Sequence, residues 1–300
     1  MRRDPSARNA GPSPLRLVPK RGKRAPAPAT DHPARWSRPT VRTIAITSGK
    51  GGVGKSNLAA NLAVALGARG ARVLLLDADV SQASLDLLLG VHPRYDLSHF
   101  FAGRKTLEEI LVPGPRNVTL VPAASGAPEL AELDDWRRET LLRAIGQLER
   151  EIDLVLVDTA SGVSAQVTSF CRAVDDVIVL TTPEMPAFSD AYGLIKLLHA
   201  GGLPRAPHLL VTQSAGPEEA EETAHRIRVV ARRFLQIDLD VWGSIPLDSA
   251  VPRAVRLQEP VVSVFPQAPA AIAYRALAAR LWTAPDPELH EQPQTERLKA

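Results

Sequence analysis

Residues 49–56 read Gly49-Lys50-Gly51-Gly52-Val53-Gly54-Lys55-Ser56, a full match to the G-x-x-x-x-G-K-[ST] spacing of a phosphate-binding loop. In such a loop the glycines let backbone N–H groups curl around phosphate oxygens, and the helix that follows aims its N-terminus at the same charge. Lys55 would meet the β- and γ-phosphates and Ser56 would ligate Mg2+. Three carboxylates stand where that chemistry could use them. Asp158 ends the apolar run LVLVD, as a residue holding Mg2+ through water should. Asp77 and Asp79 end a second run, VLLLDAD. Acids commonly open the loops after buried strands, which accounts for any one of them. That all three fall at C-terminal strand ends puts them on the side where open α/β sheets bind ligands. Lys50 is an extra cation inside the loop, beyond the one lysine this spacing requires.

Short apolar runs that could carry these residues recur at 41–48, 71–79, 151–160, 175–184, 207–214 and 239–246. Segments with helical spacing lie between and after them, at 55–70, 136–150, 164–173, 187–200, 217–236 and 268–282. Continuous apolar strands alternating with amphipathic helices predict a doubly wound, mostly parallel α/β sheet with helices on both faces. The helix over 217–236 sets Ala220, Ala224, Ile227, Ala231 and Phe234 on one face and Arg226, Arg228, Arg232 and Arg233 on the other, expected to be a solvated charged face. His199 and His208 flank a helix–strand loop and are expected in solvent; Cys171 is expected in the core, and Trp242 and Trp282 in core or edge packing.

The charge is unevenly spread. Residues 1–40 hold ten Lys/Arg against Asp4 and Asp31, a net +8, together with eight prolines. The other 260 residues hold 26 basic and 31 acidic side chains, a net −5. We therefore expect a disordered basic, Pro-rich tail at 1–40, a folded domain at 41–283 and a second flexible tail at 284–300. A basic block of this kind suggests a polyanionic partner, either an anionic membrane surface or nucleic acid. One cysteine in the chain leaves no internal disulfide and suits a reducing compartment. With neither a secretory leader pattern nor an apolar run of about 20 residues, the expected location is the cytoplasm.

SGKGGVGKSNLAANLA, LLLDADVSQASLDLLLG, LVLVDTASG and GSIPLDSAVPRAV resemble the deviant Walker A ATPases of the MinD/ParA group, over about residues 41–282. Within that group, GKSN and VIVLTTPEMPAFSDAYGLIKLL (177–198) are most similar to the FlhG branch, also called FleN or YlxH, which regulates flagellar placement and number. The resemblance implies a P-loop NTPase fold, ATP and Mg2+ as ligands, and an ATP-dependent homodimer. In it Lys50 would reach the partner's phosphates in trans, Asp79 would position the attacking water, and Asp77, Asp158 and Ser56 would serve the Mg2+ shell. Nucleotide contacts would come from Gly49, Lys50, Gly51, Gly52, Val53, Gly54, Lys55, Ser56 and Asn57, and around the base from Thr212, Pro246 and Asp248. Partners implied are an FlhF-like GTPase, flagellar basal-body or transcription factors, and an anionic membrane.

Departures from the pattern fall at Ser81 and Ser84, where the branch usually has Gly and Asn, and at Thr212, where it often reads adenine with Asn and where Gln213 follows. The rival is a ParA-type ATPase that binds nonspecific DNA; a scaffold that binds nucleotide without turnover is a third reading. Iron-protein reductases and arsenite pumps of this fold need more cysteines than one. Amidotransferase relatives need a glutaminase domain for which the chain has no room. Tyrosine-kinase relatives carry a tyrosine cluster, where this chain has three scattered tyrosines.

Overall fold

The computed structural model of the chain describes residues 41–79, 83–123, 135–148 and 151–282; the two expected tails lie outside them. Eight strands form one sheet in the order β3-β4-β2-β5-β1-β6-β7-β8. They are β1 (Arg42–Ser48), β2 (Val73–Ala78), β3 (Val112–Pro113), β4 (Val118–Val121), β5 (Leu154–Ser161), β6 (Asp176–Thr181), β7 (His208–Ser214) and β8 (Val241–Pro246). Every pairing is parallel except β3 with β4. The expected doubly wound α/β architecture is what the chain adopts.

The continuous apolar strands have a direct explanation in the alternation of side chains. Leu74, Leu76, Val155 and Val157 point into one apolar layer, while Val73, Leu75, Leu154 and Leu156 point into the other. The first layer is closed by α5 (Asp135–Gln147), α6 (Ala165–Ala173), α7 (Met185–Ala200) and α8 (Pro217–Leu235). The second is closed by α1 (Lys55–Gly67), with α9 (Ala250–Arg256), α10 (Val261–Val264) and α11 (Pro269–Leu281). Strands covered on both faces have no room for a polar alternation. Cys171 and Trp242 are buried as expected.

The region between β2 and α5, which carries no clear periodicity, folds as α2 (Leu85–Leu89), α3 (Leu97–Phe101), α4 (Leu107–Ile110) and the β3–β4 edge. These are elements of two to five residues, too short to show a repeat. The edge strand β3 has only two residues, one of them the exposed Pro113.

Two expectations need correcting. Phe234 is 65% exposed beneath the Arg233 guanidinium, 5.4 Å from its ring, while the next residue, Leu235, is the one that packs against the layer that Ile227 and Ala231 enter. His208 is only partly exposed. Its ring stacks on Trp242 at 3.8 Å, and Nε2 lies 3.4 Å from Asp176 Oδ1. Arg42 Nε donates to the other Asp176 oxygen at 2.8 Å, and Trp242 Nε1 donates to Asp240 at 2.9 Å. The N-terminal edges of β1, β6, β7 and β8 are thus tied through one buried carboxylate and one stacked ring. The His208 and Arg42 bonds hold the Asp176 carboxyl below the usual carboxylate range against the opposing effect of burial.

A group whose acidity is strengthened by folding stabilises the fold above its unfolded pKa and loses that contribution as the pH falls through its folded one. Asp176→Asn is therefore expected to cost roughly 1–2 kcal/mol at neutral pH, with the difference from the parent closing below about pH 4. Urea melts in steps from pH 7 down to about pH 2 check this; a penalty that stays constant across the whole series would remove the ionic explanation.

Candidate functional site

The phosphate loop leaves β1 at the centre of the sheet, between β5 and β6, where the strand order reverses. Its entry is pinned: Ser48 Oγ donates to Lys50 O at 2.7 Å, and Gly162 N donates to Ser48 O at 2.8 Å. Gly49 is required by close approach, since a Cβ there would lie 2.2 Å from the Asp190 carbonyl of α7. Gly54 caps α1 at φ 92, a left-handed conformation that favours glycine. No side chain caps that helix start, and its first turn carries no acid. Its N–H groups and dipole are left for an anion.

Beneath the loop the first turn of α1 delivers Lys55 and Ser56. Lys55 is buried, and its charge and the Ser56 hydroxyl both favour the ionised form of Asp158. Asp158 is 1% exposed, and among the described residues its Oδ1 has no hydrogen-bond partner. Burial pushes its pKa up to about 7, with Asp79 adding to the rise and Ser56 and Lys55 opposing it.

The β2–β5 register sets Asp77 directly opposite Asp158. Burial, and then the charge of Asp158, push Asp77 well above the usual carboxylate range. A buried carboxylate oxygen without a partner, beside a second acid and a hydroxyl, is a donor set that suits a hard divalent cation. The residues present fit Mg2+.

Asp77 has a further job. Its Oδ1 accepts from Asp79 N at 3.2 Å, and its Oδ2 accepts from Ser84 N at 3.2 Å and Leu85 N at 3.3 Å. It therefore holds both ends of the turn between β2 and α2. Asp79 lies at the start of that turn and is 8% exposed. Ser84 is the α2 N-cap residue, and Ser81 is outside the described residues.

Lys50 stands at the lip of the loop. Its Nζ is 2.6 Å from Glu184 Oε2, and Glu184 is the N-cap residue of α7. Both side chains are solvent-accessible, Glu184 at 65%.

Beside the loop is a cleft of about 290 Å³ lined by Gly52, Val53, Gly54 and Asn57 and by Thr212, Gln213, Pro246, Asp248 and Tyr274. The expected base-end residues are thus brought to one place, with local tasks of their own. Thr212 Oγ1 lies 2.7 Å from Val53 O and 3.2 Å from Thr181 O, so its hydroxyl fastens the loop to β7. Asp248 accepts from Ala250 N at 2.8 Å and from Ala270 N at 3.0 Å, joining the starts of α9 and α11. Gln213 and Glu184 are the residues to which pattern reading gave no role, although both stood in runs it had noted, Gln213 directly after Thr212 and Glu184 as the last residue of TTPE.

A protein-family model for ParA, described as "NUBPL iron-transfer P-loop NTPase", matches residues 40–282. The chain belongs to the ParA/MinD family of P-loop NTPases. Among its relatives, "Antiactivator FleN" of Pseudomonas aeruginosa is 38% identical over 262 residues, 86% of this chain and 93% of that protein. "Flagellum site-determining protein YlxH" of Helicobacter pylori is 34% identical, over 72% of this chain and 73% of that protein. Septum site-determining protein MinD of Pyrococcus horikoshii, solved with Mg-ADP, superposes with a TM-score of 0.68 at 28% identity, covering 80% of this chain and 96% of that one.

Iron transfer is in the family description alone. In this ParA/MinD chain the single cysteine, Cys171, is fully buried in α6, and burial pushes its thiol up to about 12, far from the thiolate that ligation requires.

The Asp77 bonds lead to a specific expectation. In Asp77→Ala the amides of Ser84 and Leu85 lose their acceptor and should exchange with solvent at least about tenfold faster, while those of β5 stay protected. Hydrogen-exchange mass spectrometry reads this directly; unchanged protection across 79–85 would show that the turn is held by something else.

Proposed function

We propose that the chain is a Mg2+-dependent ATPase that dimerises on ATP and regulates the number or position of a cellular structure, the bacterial flagellum being the one its relatives point to. The observation that carries this reading is the set Lys55, Ser56 and Asp158 gathered under the loop, with an unpartnered buried carboxylate oxygen among them. The loop amides and Lys55 bind the terminal phosphates. Ser56 and Asp158 would hold the cation. Mg2+ when bound supplies charge that neutralises the terminal phosphate oxygens. Asp77, fixed to the backbone of the following turn, steadies Asp79, which orients the attacking water and accepts its proton.

Within one chain, Lys50 is engaged by Glu184. On dimerisation that pair opens, and Lys50 serves the phosphates of the second copy, adding the positive charge that hydrolysis demands. Because the pair is exposed, opening it costs little. A slow, dimer-dependent ATPase is the outcome, with ATP as the switch for assembly.

Asp79→Ala is expected to bind ATP and accumulate as a dimer while hydrolysing it about 100-fold more slowly. Lys50→Ala is expected to bind ATP and stay monomeric. Phosphate release and light scattering with ATP decide both; a Lys50→Ala protein that dimerises and turns over like the parent would sink the trans role.

The names of the relatives, an antiactivator and a flagellum site-determining protein, support a partner among flagellar transcription or basal-body factors or an FlhF-like GTPase. Among the described residues no helix is long and apolar enough to cross a membrane. The ten Lys/Arg of residues 1–40 supply attraction to an anionic membrane, about 1 kcal/mol for each that engages, and dimerisation multiplies it. The same charges favour a second reading, ParA-like binding to nonspecific DNA, which weakens steeply as salt rises. Co-sedimentation of full-length and 41–300 protein with anionic vesicles and with duplex DNA, each with and without ATP, is expected to show tail-dependent, ATP-enhanced binding to vesicles. Binding that survives deletion of the tail would move the anchor onto the folded domain.

A further inference from the structure

Strand β7 breaks its pairing at the site. Its register with β8 runs from Thr212–Ile245 to Ser214–Pro246, so that Gln213 is left over as an extra residue. Its backbone sits at φ 58, a left-handed conformation that disfavours a residue with a full side chain. A bulge of this kind re-aims a side chain, and bulges concentrate beside active sites. Here the Gln213 side chain is laid across the phosphate loop, with Nε2 donating to Gly52 O at 2.8 Å, and it lines the cleft beside that loop. Holding the loop does not by itself account for the strain, because Thr212, one residue earlier and in the regular ladder, already fastens the loop at Val53 O.

The chemistry of the amide says what else it can do. The Gly52 carbonyl can only accept, so the nitrogen must face it. Oε1 and the second N–H are left for a ligand in the cleft. Of the other polar side chains that line the cleft, Thr212 and Asp248, which share its far wall with Gln213, are committed to backbone partners, while Asn57 lies on the first turn of α1, on the phosphate-loop side. An oxygen beside an N–H pairs bidentately with adenine, whose N6 amino group donates and whose N7 accepts. Guanine offers two acceptors on that edge, O6 and N7, so one of the two contacts becomes repulsive.

We propose that Gln213 is the residue by which this site selects adenine over guanine nucleotides. The inference rests on the ATPase reading above and adds to it the residue that tells one base from another. Gln213 is a specificity residue with a second attachment. One end of its amide holds the loop that cradles the phosphates, and the other reads the base, so that base recognition and cradle share one side chain.

Equilibrium binding of N-methylanthraniloyl-ATP and N-methylanthraniloyl-GTP, with Mg2+, to full-length parent, Gln213→Gly and Gln213→Asn tests this. Glycine adopts φ 58 without strain, so Gln213→Gly should melt no lower than the parent. The parent should prefer the adenine nucleotide. In Gln213→Gly that preference should fall roughly tenfold or more, chiefly through weaker ATP binding. Gln213→Asn, which keeps the amide and tolerates the left-handed backbone but is one methylene shorter, should fall between the two. Equal weakening of both nucleotides would make Gln213 a strut of the loop and overturn the reading role, as would an unchanged preference or a parent that has none. A parent that binds neither nucleotide would overturn the nucleotide-binding reading itself.

Discussion

Two carboxylates facing each other in the dry interior of a sheet are the constraint on which the site is built. Asp77 and Asp158 occupy opposed positions in neighbouring parallel strands, each nearly free of solvent, and like charges so placed repel in a medium that screens them poorly. The surroundings offset this one group at a time. Backbone N–H groups of the following turn converge on Asp77. Lys55 and Ser56, brought in by the first turn of α1, act on Asp158. What is left over is one oxygen of Asp158, and that remainder makes the place suitable for a cation accompanied by phosphate. Folding and ligand binding are thereby linked, because the ligand completes a charge balance the chain leaves open.

Much of this was legible in the residue order, for reasons that can be named. Phosphate loops depend on backbone geometry that few residues permit, so Gly54 and Gly49 had to be glycine, and the spacing of Lys55 and Ser56 follows from one helical turn. The strands were visible because burial on both faces removes polar residues from them. The β3–β4 edge and α2–α4 were not, since elements of a few residues fall below the length at which a period can be counted. Phe234 was misplaced because periodicity specifies a direction around a helix only to within about a residue, and in the last turn of α8 it is Leu235 that meets the layer. His208 was misplaced because its burial depends on Asp176 and Trp242, which are 32 and 34 residues away in the sequence and adjacent only once the strands have paired.

The cleft makes a different point. Thr212 and Asp248 were expected at the base end of a nucleotide by position, and the cleft beside the loop brings them together. Yet their polar atoms are spent on Val53, Ala250 and Ala270. Position in a motif says which residues meet; only the hydrogen-bond arrangement says which of them still has an atom to offer. The bulge at Gln213 changes which side chain answers that need, and nothing in a one-dimensional pattern marks a residue that the ladder has skipped.

The two ends of the sheet carry a consequence of their own. At one edge β3 is cut to two residues and ends in Pro113, which has no N–H to give. At the other, Arg280 NH1 donates to the Val241 carbonyl at 3.1 Å, filling a place that an added strand would need. Neither edge is a template for another chain. The ATP-dependent dimer proposed above brings copies of the chain together. With both margins of the sheet blunted, crowding does not turn into strand-by-strand fibre growth, and an assembly that forms on one face can come apart again.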